Sequence, residues 1–448
     1  IEAGNTEAFL LAVEELHYVD LASVFENLGY RGRLFFTEHI PIEQFSEILA
    51  ELPDTLIEET LERFDTNAQR KILGQLIDDD RADILQDVST EARQRYLDLL
   101  HPEEQETTRI LMRYDEDTAG GRMTTNAAKI LLGTSVQAAL DILREYKDSA
   151  ESLARIYVVD NEGRLQGKIR LRELAFSEGN VPVEKIMQEV DISILATADQ
   201  EDAAMIFSKY DMTLLPVVDE YGRLLGIITH DDVLEIIEEE STEDIEKMSG
   251  ISGDQSEETY LNTSINTHFK RRFPWLFGLA LLAISSGYVM FRFEDVLNGF
   301  FLLALYLPMV VAAGGNTGGQ AATMVIRAMS LGELEPGSTL KVMMKELKLG
   351  ILLGLVMGVS IAAVTLFILP AFNPNIPATV TIPTFALSVA VSLTIQIAIS
   401  TLSGALLPIG ARAINLDPAV VASPVITTLV DVLGMVIYFT AAQAILGL

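Results

Sequence analysis

The chain contains no cysteine and comparatively few basic residues. Its 448 residues include 32 Lys and Arg against 64 Asp and Glu, a formal net charge of −32. Without cysteine there is no disulfide framework, no thiolate zinc site and no thiol nucleophile. Nucleic acids recruit Lys and Arg, so the charge balance excludes nucleic acid as a partner and favours solubility or cation binding.

The negative charge belongs to the first part of the chain. From Lys270 onward there are seven acidic and nine basic residues, which leaves 57 acidic and 23 basic residues before it. The net charges of the two parts are therefore −34 and +2. At roughly 150 residues per domain, the length predicts about three domains. An acidic solvated surface and a cation-binding surface both fit the first part.

Two soluble domains are predicted in the acidic part. Short bursts of apolar residues at helical spacing, such as FSEILAEL and RADILQDV, predict an all-α superhelical domain over residues 1–119. An internal repeat follows, in which IYVVDNEGRLQGKIRLREL (156–174) aligns with LPVVDEYGRLLGIITHDDVL (215–234). Each unit predicts β-α-β-β-α, and the tandem resembles a CBS-domain pair over residues 120–240. Such pairs commonly sense adenosine nucleotides.

The remainder predicts an all-α membrane domain over residues 273–448. A polar stretch at 241–272, ending on the basic triplet Lys270 to Arg272, predicts a connecting helix region at the membrane edge. Five apolar stretches are each long enough to cross roughly 30 Å of hydrocarbon. They are 273–292, 297–327, 346–369, 382–411 and 418–446.

The basic residues predict the orientation of these spans. With the N-terminal domains in the cytoplasm and the C-terminus outside, eight of the nine basic residues lie on the inner side and only Arg292 lies outside. The eight are Lys270, Arg271, Arg272, Arg327, Lys341, Lys345, Lys348 and Arg412.

Asp431 is the only formal charge after Pro418 and lies near the middle of the fifth span. A carboxylate at mid-membrane costs about 2.5 to 3.5 kcal/mol on insertion scales. It could be a structural hydrogen bonder, a proton-relay acid or a cation ligand. Asp417 lies about 21 Å away along a helix, too far to complete a relay. A lone carboxylate among hydroxyls and carbonyls suits a hard cation such as Mg²⁺.

The second span contains AAGGNTGGQAAT, in which glycines flank Asn316, Thr317 and Gln320. These glycines predict either loosened backbone carbonyls facing an ion or a close contact between helices. With Asp417 and Pro424 at the start of the fifth span, the three polar residues are predicted to line a pore. The paired G-x-G-D carboxylates of an intramembrane protease are absent, and the chain is not expected to be an enzyme.

This combination resembles the MgtE family of Mg²⁺ channels and transporters. The motifs that carry the resemblance are YDEDTAGGRMT (114–124), GGNTGGQAATMVIRA (314–328) and DPAVVASPVITTLVDV (417–432). The resemblance implies a homodimer in a bacterial inner membrane, with an ion path along the dimer axis. It also implies that Asp431 is the pore carboxylate and that Thr427 contributes its backbone carbonyl.

The resemblance further implies that Mg²⁺ binds between the cytosolic domains and closes the pore. Bare carboxylates packed across a boundary repel, and a bridging divalent ion removes that repulsion, so high internal Mg²⁺ favours a compact state. The implied ligands are Glu47, Asp79, Asp83, Asp199, Glu201, Asp211, Asp232, Glu240, Glu243 and Asp244.

The sequence therefore predicts a Mg²⁺-gated Mg²⁺ channel or transporter whose partners are Mg²⁺, membrane lipid and a second copy. ATP is a candidate modulator: Thr229 and Asp232, or Arg170 and Glu173 in the first repeat, occupy positions where CBS domains often contact ribose. One alternative is a CBS-regulated secondary transporter of another substrate, with Asp431 carrying a coupling proton. Another is a membrane-tethered sensor that transports nothing.

Overall fold

The computed structural model describes residues 6–145, 152–252, 260–261, 263–334, 337–372, 376–377, 379–421 and 423–447. The chain divides into two compact units, Ile1–Glu239 and Glu240–Leu448. The architecture agrees with the predicted fold class: an all-α N-terminal region, a CBS pair with small mixed sheets, and long apolar helices toward the C-terminus.

The first unit begins with short helices stacked on a common apolar core. Side-chain caps separate them: Asp65 Oδ1 accepts hydrogen bonds from Asn67 N at 2.9 Å and Ala68 N at 2.8 Å. The core is rich in buried aromatic rings, among them Phe25, Phe36 and Phe45. The helices are α1 (Thr6–Glu15), α2 (Tyr18–Glu26), α3 (Tyr30–His39), α4 (Ile42–Ala50), α5 (Asp54–Leu61), α6 (Thr66–Gln75), α7 (Asp78–Asp87), α8 (Thr90–Leu97) and α9 (Pro102–Leu111).

The repeat forms two copies of the same β-α-β-β-α unit. In each copy the first two strands pair in parallel and the last two pair antiparallel, giving sheet orders β1-β2-β3 and β4-β5-β6. The elements are β1 (Ala127–Leu131), α10 (Val136–Glu145), β2 (Ser152–Val159), β3 (Leu165–Ile169), α11 (Leu171–Ala175), β4 (Ile194–Leu195), α12 (Gln200–Tyr210), β5 (Leu214–Val218), β6 (Leu224–Thr229) and α13 (His230–Met248).

The repeated Asp and Gly form the hairpin turns of the two copies. Asp160 Oδ1 accepts hydrogen bonds from two backbone N–H groups at 2.9 Å, and Asp219 Oδ1 accepts the equivalent pair at 2.9 and 2.8 Å in the second copy. Gly163 and Gly222 adopt positive φ, which side chains disfavour. The repeated motif is therefore explained by turn geometry, so it carries no evidence of a ligand.

The second unit contains five helices that are long and apolar enough to cross a membrane. Two of them, which begin at Ile265 and Thr339, start well before the apolar stretches predicted from 273 and 346, because helical hydrogen bonding continues past the apolar residues. The first helix begins at Ile265, before the apolar stretch predicted from 273, and Ser264 Oγ accepts a capping hydrogen bond from Thr267 N at 3.1 Å. The helices are α14 (Ile265–Arg292), the short α15 (Glu294–Gly299), α16 (Leu302–Ser330), α17 (Thr339–Ile368), α18 (Ile382–Ala413) and α19 (Ser423–Leu446).

The predicted connecting region 241–272 contains the end of one helix and the start of another. Helix α13 ends at Met248, and Gly250 follows with a φ of 72°. The basic triplet Lys270 to Arg272 lies within α14, which begins at Ile265, so it belongs to the first long helix. Residues 253–259 and 262 lie outside the described residues.

Close packing in the second unit rests on small residues. A Cβ built on Gly350, Gly354 or Gly358 would lie within 2.2 to 2.8 Å of atoms of α18. These three glycines recur every fourth residue on one face of α17, which lets the two backbones approach closely. The resulting pair supports α18, whose other side faces α16 and α19.

Candidate ion path and acidic clusters

A groove between α16 and α19 contains Asp431. Its volume is about 880 Å³, and its walls combine apolar side chains with amide, hydroxyl and carboxylate groups. The lining residues are Pro308, Val311, Ala312, Gly315, Asn316, Gly319, Gln320, Thr323, Met324, Thr427 and Asp431. The groove therefore brings together the carboxylate with Asn316 and Gln320 of the glycine-rich motif.

One oxygen of Asp431 is buried without a partner. Its Oδ1 atom makes no hydrogen bond to any residue that the structure describes. The backbone of α16 lies close to this oxygen at Gly315. A Cβ on Gly315 would lie 3.0 Å from Thr427 Cγ2 and 3.6 Å from Asp431 Oδ1. The interpretation of Asp431 as a structural hydrogen bonder gains no support, because a buried acceptor is usually paired when its role is structural.

The glycines of α16 face two different surroundings. Gly314 and Gly318 pack against α18 and α19, where a Cβ on Gly314 would lie 2.2 Å from Gln396 Nε2. Gly315 and Gly319 line the groove. Helix α16 nevertheless continues unbroken from Leu302 to Ser330, so the predicted loosening of its carbonyls is corrected. The glycines serve close approach of helices.

The residues that line the groove do not include three of the predicted pore residues, Thr317, Asp417 and Pro424. The Thr317 hydroxyl donates to the carbonyls of Ala313 at 2.9 Å and Gly314 at 3.1 Å in its own helix. The Pro424 carbonyl accepts a hydrogen bond from Thr428 Oγ1 at 2.9 Å. Asn316 and Gln320 do line the groove, because residues four apart lie one turn apart on the same face of a helix.

Asp417 forms an ion pair near the end of α13. Its Oδ2 atom lies 2.6 Å from Lys247 Nζ, and Lys247 also pairs with Glu243. Its Oδ1 atom accepts a hydrogen bond from Ala419 N at 2.7 Å. Burial and then the charge of Asp417 raise the pKa of Asp244. The sequence analysis did not identify Lys247. Its positively charged side chain pairs with Glu243, one of the predicted cluster of Glu240, Glu243 and Asp244.

In the first unit, acids of α7 meet acids of the second CBS copy. Burial raises the pKa of Asp79 well above its ordinary value, and the charges of Asp80 and Asp232 add to the shift. Asp79 Oδ1 has no hydrogen-bond partner within the described ranges. Burial likewise raises the pKa of Asp232. The charge of Asp232 thus acts on Asp79 across the boundary between the N-terminal helices and the second CBS copy.

Two further acids belong to this cluster. Burial raises the pKa of Asp83 to about 8, although the nearby Arg122 guanidinium opposes the shift. Desolvation and the charge of Asp232 raise the pKa of Glu235 to about 7. Glu235 is absent from the sequence prediction, and the signal that could have found it is its position one turn after Asp232 on α13.

The other predicted ligands are more dispersed. Glu47 is exposed on α4, and Asp199 caps α12 by accepting a hydrogen bond from Glu201 N at 2.9 Å. Asp211 ends α12 in a left-handed conformation with φ 47°. Across the described part of the chain, no three acidic or histidine side chains are close enough to form a ready metal cage. Any ion at this cluster would keep much of its water.

A cleft of about 560 Å³ opens between the two CBS copies. Its polar walls include Arg155, Lys168, Asp191, Tyr210 and Asp211. Thr229 lies elsewhere and is satisfied locally, since its hydroxyl and N–H both donate to Asp232 Oδ2 at 2.8 Å. In this structure Thr229 and Asp232, the expected ribose-binding pair, are thus hydrogen-bonded to each other.

We expect the buried acids to make the first unit less stable as the pH rises. Their native pKa values exceed the ordinary value of about 4, so the native state holds protons that the unfolded state has released, and stability falls between about pH 4 and 8. For a fragment of residues 1–239 in chelator, the unfolding temperature should fall by roughly 5 °C or more over that range. Differential scanning fluorimetry measures it.

The matched variants for this measurement are Asp83→Asn and Glu103→Gln. Asp83→Asn removes one buried acid and should flatten the pH dependence, whereas Glu103 is exposed on α9 and its replacement should not. Equal slopes in the two variants would show that burial of Asp83 has no part in the effect.

Comparisons with known proteins find matches along the whole chain. One family profile, MgtE, described as divalent cation transporter, matches residues 307–441. The MgtE intracellular N domain matches residues 16–117, and the CBS domain matches residues 119–177 and 183–239. The magnesium transporter MgtE of Thermus thermophilus is 35% identical over 100% of this chain and 97% of its own length. The chain belongs to the MgtE family of magnesium transporters.

Other similarities extend this result. The magnesium transporter MgtE of Bacillus subtilis is 29% identical over 98% of this chain and 94% of its own length. The solved cytosolic domain of the Mg²⁺ channel MgtE in complex with ATP is 37% identical, with a TM-score of 0.50, over 52% of this chain and 96% of that one. As a member of the MgtE family, the chain is a membrane protein with five spans and cytosolic N-terminal domains, and it is not an enzyme.

Proposed function

We propose that this MgtE family member is a Mg²⁺ channel for uptake, closed by Mg²⁺ on its acidic cytosolic domains. The observation that carries the proposal is the Oδ1 atom of Asp431, which faces a polar groove within long apolar helices and has no hydrogen-bond partner among the described residues. A buried carboxylate in a membrane requires a partner, and a cation in the groove supplies one.

The groove chemistry favours a hydrated hard cation. The polar groups it offers are oxygens and amides of Asn316, Gln320, Thr323, Thr427 and Asp431, with no thiolate or imidazole. Mg²⁺ dehydrates reluctantly and is commonly held through its waters by one or two carboxylates. A divalent ion moving inward gains about 4.6 kcal/mol per 100 mV of membrane potential, so uptake through this groove needs no ATP.

A homodimer completes the charge balance at the groove. One Asp431 carries a single negative charge, whereas two related by a two-fold axis would neutralise one divalent ion. We therefore place the ion path along the dimer axis, in a bacterial inner membrane, with the C-terminus outside. Thr427, one turn before Asp431, is proposed as the neighbouring ligand through its backbone carbonyl.

Closure by Mg²⁺ is supported by the acids of the first unit. Asp79 and Asp232 approach each other with raised pKa values, which means that their charged forms are disfavoured as they stand. A divalent ion reverses that preference and stabilises the compact arrangement. Glu47, Asp83, Asp199, Glu201 and Asp211 in the first unit, and Glu240, Glu243 and Asp244 in the second, are proposed to contribute further ligands.

ATP is proposed as a modulator at the cleft between the CBS copies. That cleft is large enough for a nucleotide and contains the cations Arg155 and Lys168, which suit phosphate groups. The solved cytosolic domain of an MgtE channel, which is similar to this chain, was crystallised with ATP.

Ion flux into reconstituted vesicles tests the channel proposal against proton coupling. We expect a Mg²⁺ current that follows the membrane potential and is unchanged when the proton gradient is collapsed at fixed pH. A carboxylate that must release a proton for each cycle would make transport depend on that gradient. Strict dependence on the gradient would establish the alternative, a proton-coupled secondary transporter with Asp431 as the coupling site.

A further inference from the structure

Gln396 lies fully buried in the middle of α18, among three membrane helices. Its Nε2 atom donates a hydrogen bond to the backbone carbonyl of Val430 in α19 at 3.0 Å. Val430 directly precedes Asp431 in the sequence. The amide therefore ties α18 to the main chain of the residue next to the groove carboxylate.

Two glycines make room for this amide. A Cβ on Gly314 of α16 would lie 2.2 Å from Gln396 Nε2, and a Cβ on Gly434 of α19 would lie 2.5 Å from it. The residue after Gly314 is Gly315, whose Cβ position faces Asp431 Oδ1 at 3.6 Å. The backbone of α16 thus contacts the amide on one side and the groove carboxylate on the other.

The chemistry of the contact fixes which end of the amide faces α19. The Val430 carbonyl only accepts hydrogen bonds, so the NH₂ group must point toward it. That orientation leaves Gln396 Oε1 buried with no partner in the described part of the protein, and Ser400 Oγ one turn later is in the same situation. The bond to Val430 is therefore retained even though it leaves an acceptor unsatisfied.

We propose that Gln396 is a positioning residue that sets the depth and rotation of α19 against α16, and thereby the geometry that favours Mg²⁺ over larger divalent ions. It acts through the Val430 main chain and does not touch the ion. Mg²⁺ demands near-ideal octahedral geometry, whereas Ca²⁺ accepts variable geometry and longer bonds. A small displacement of Asp431 therefore harms Mg²⁺ most. This inference rests on the proposed role of Asp431 as an ion ligand.

The test is competitive uptake of Mg²⁺ and Ca²⁺ by full-length protein in vesicles. Gln396→Met keeps the length of the side chain and removes the donor, and the ratio of Mg²⁺ to Ca²⁺ transport should fall by about tenfold, as is usual when support of a metal ligand is lost. The control is Ser388→Ala, because Ser388 is equally buried two turns earlier on α18 and its Oγ also has no hydrogen-bond partner among the described residues. Its ratio should equal that of wild type.

An unchanged ratio in folded Gln396→Met overturns the inference, even if total flux or the unfolding temperature falls, because a merely structural role predicts that result. If Gln396→Met does not yield monodisperse protein, Gly434→Ala decides by the same ratio, since its Cβ displaces the amide. Asp431→Asn distinguishes a failure of the proposed function from a failure of this inference. Mg²⁺ transport that persists in Asp431→Asn overturns the proposed function, whereas its loss beside an unchanged Gln396→Met ratio overturns only this inference.

Discussion

Vesicles containing Asp431→Ala are expected to take up no more Mg²⁺ than empty vesicles. The substitution removes the carboxylate whose Oδ1 atom faces the groove between α16 and α19 and accepts no hydrogen bond from any residue the structure describes. With no negative charge at mid-membrane, a divalent ion entering the groove loses its compensation for leaving water. Isotope uptake or a fluorescent Mg²⁺ indicator inside the vesicles measures the effect.

Two further variants show whether charge or shape is responsible. Asp431→Asn keeps the shape of the side chain and is expected to fail in the same way, because the amide carries no charge. Glu346→Gln is the matched control: Glu346 is also buried in a membrane helix, α17, but does not line the groove. Glu346→Gln should transport Mg²⁺. Wild-type uptake by Asp431→Asn would remove Asp431 from the ion path.

Removal of residues 1–240 is expected to leave a pore that internal Mg²⁺ no longer closes. The deletion takes away the buried acids of α7 and the second CBS copy, which are the proposed ligands of the closing ions. The full chain should lose its flux when Mg²⁺ inside the vesicles is raised, and the truncated chain should not. Patch recording from vesicles with controlled Mg²⁺ on the domain side measures this difference.

A single substitution makes the same test without a large deletion. Asp79→Asn removes one ligand from the cluster and should raise the Mg²⁺ concentration that closes the pore by about tenfold. Glu103→Gln makes the equivalent charge change at an exposed position and should leave it unaltered. Closure of the truncated chain by Mg²⁺, or an unchanged closing concentration in Asp79→Asn, would contradict the model of ions bridging repelling acids.

Much of the architecture was accessible from the sequence because it depends on local patterns. The repeat around Asp160 and Asp219 predicted two equal hairpins, since an Asx turn followed by glycine is specified by a few adjacent residues. Five apolar stretches predicted five membrane helices because hydrocarbon thickness fixes their length. Their starts were less accurate, since helices continue beyond the apolar stretch.

The groove was only partly predictable. Asp431 could be singled out because one charge in an apolar span has a cost that demands an explanation. In the sequence, Thr317 and Asn316 are adjacent polar residues with equal claims to line a pore. In the structure the Thr317 hydroxyl donates to the carbonyls of Ala313 and Gly314 in its own helix. Asp417 pairs with Lys247, 170 residues earlier in the chain, and no local pattern indicates such a contact.

By itself, the sequence determined the division into an acidic soluble part and an apolar membrane part, the CBS repeat and the isolation of Asp431. These follow from hydropathy, charge and short turn motifs, which act over a few residues. The tertiary structure alone decided which groups face one another: Gly315 across from Asp431, Gln396 on the Val430 carbonyl, and Asp79 near Asp232. Such contacts depend on how helices distant in sequence pack, and packing is settled by the whole fold.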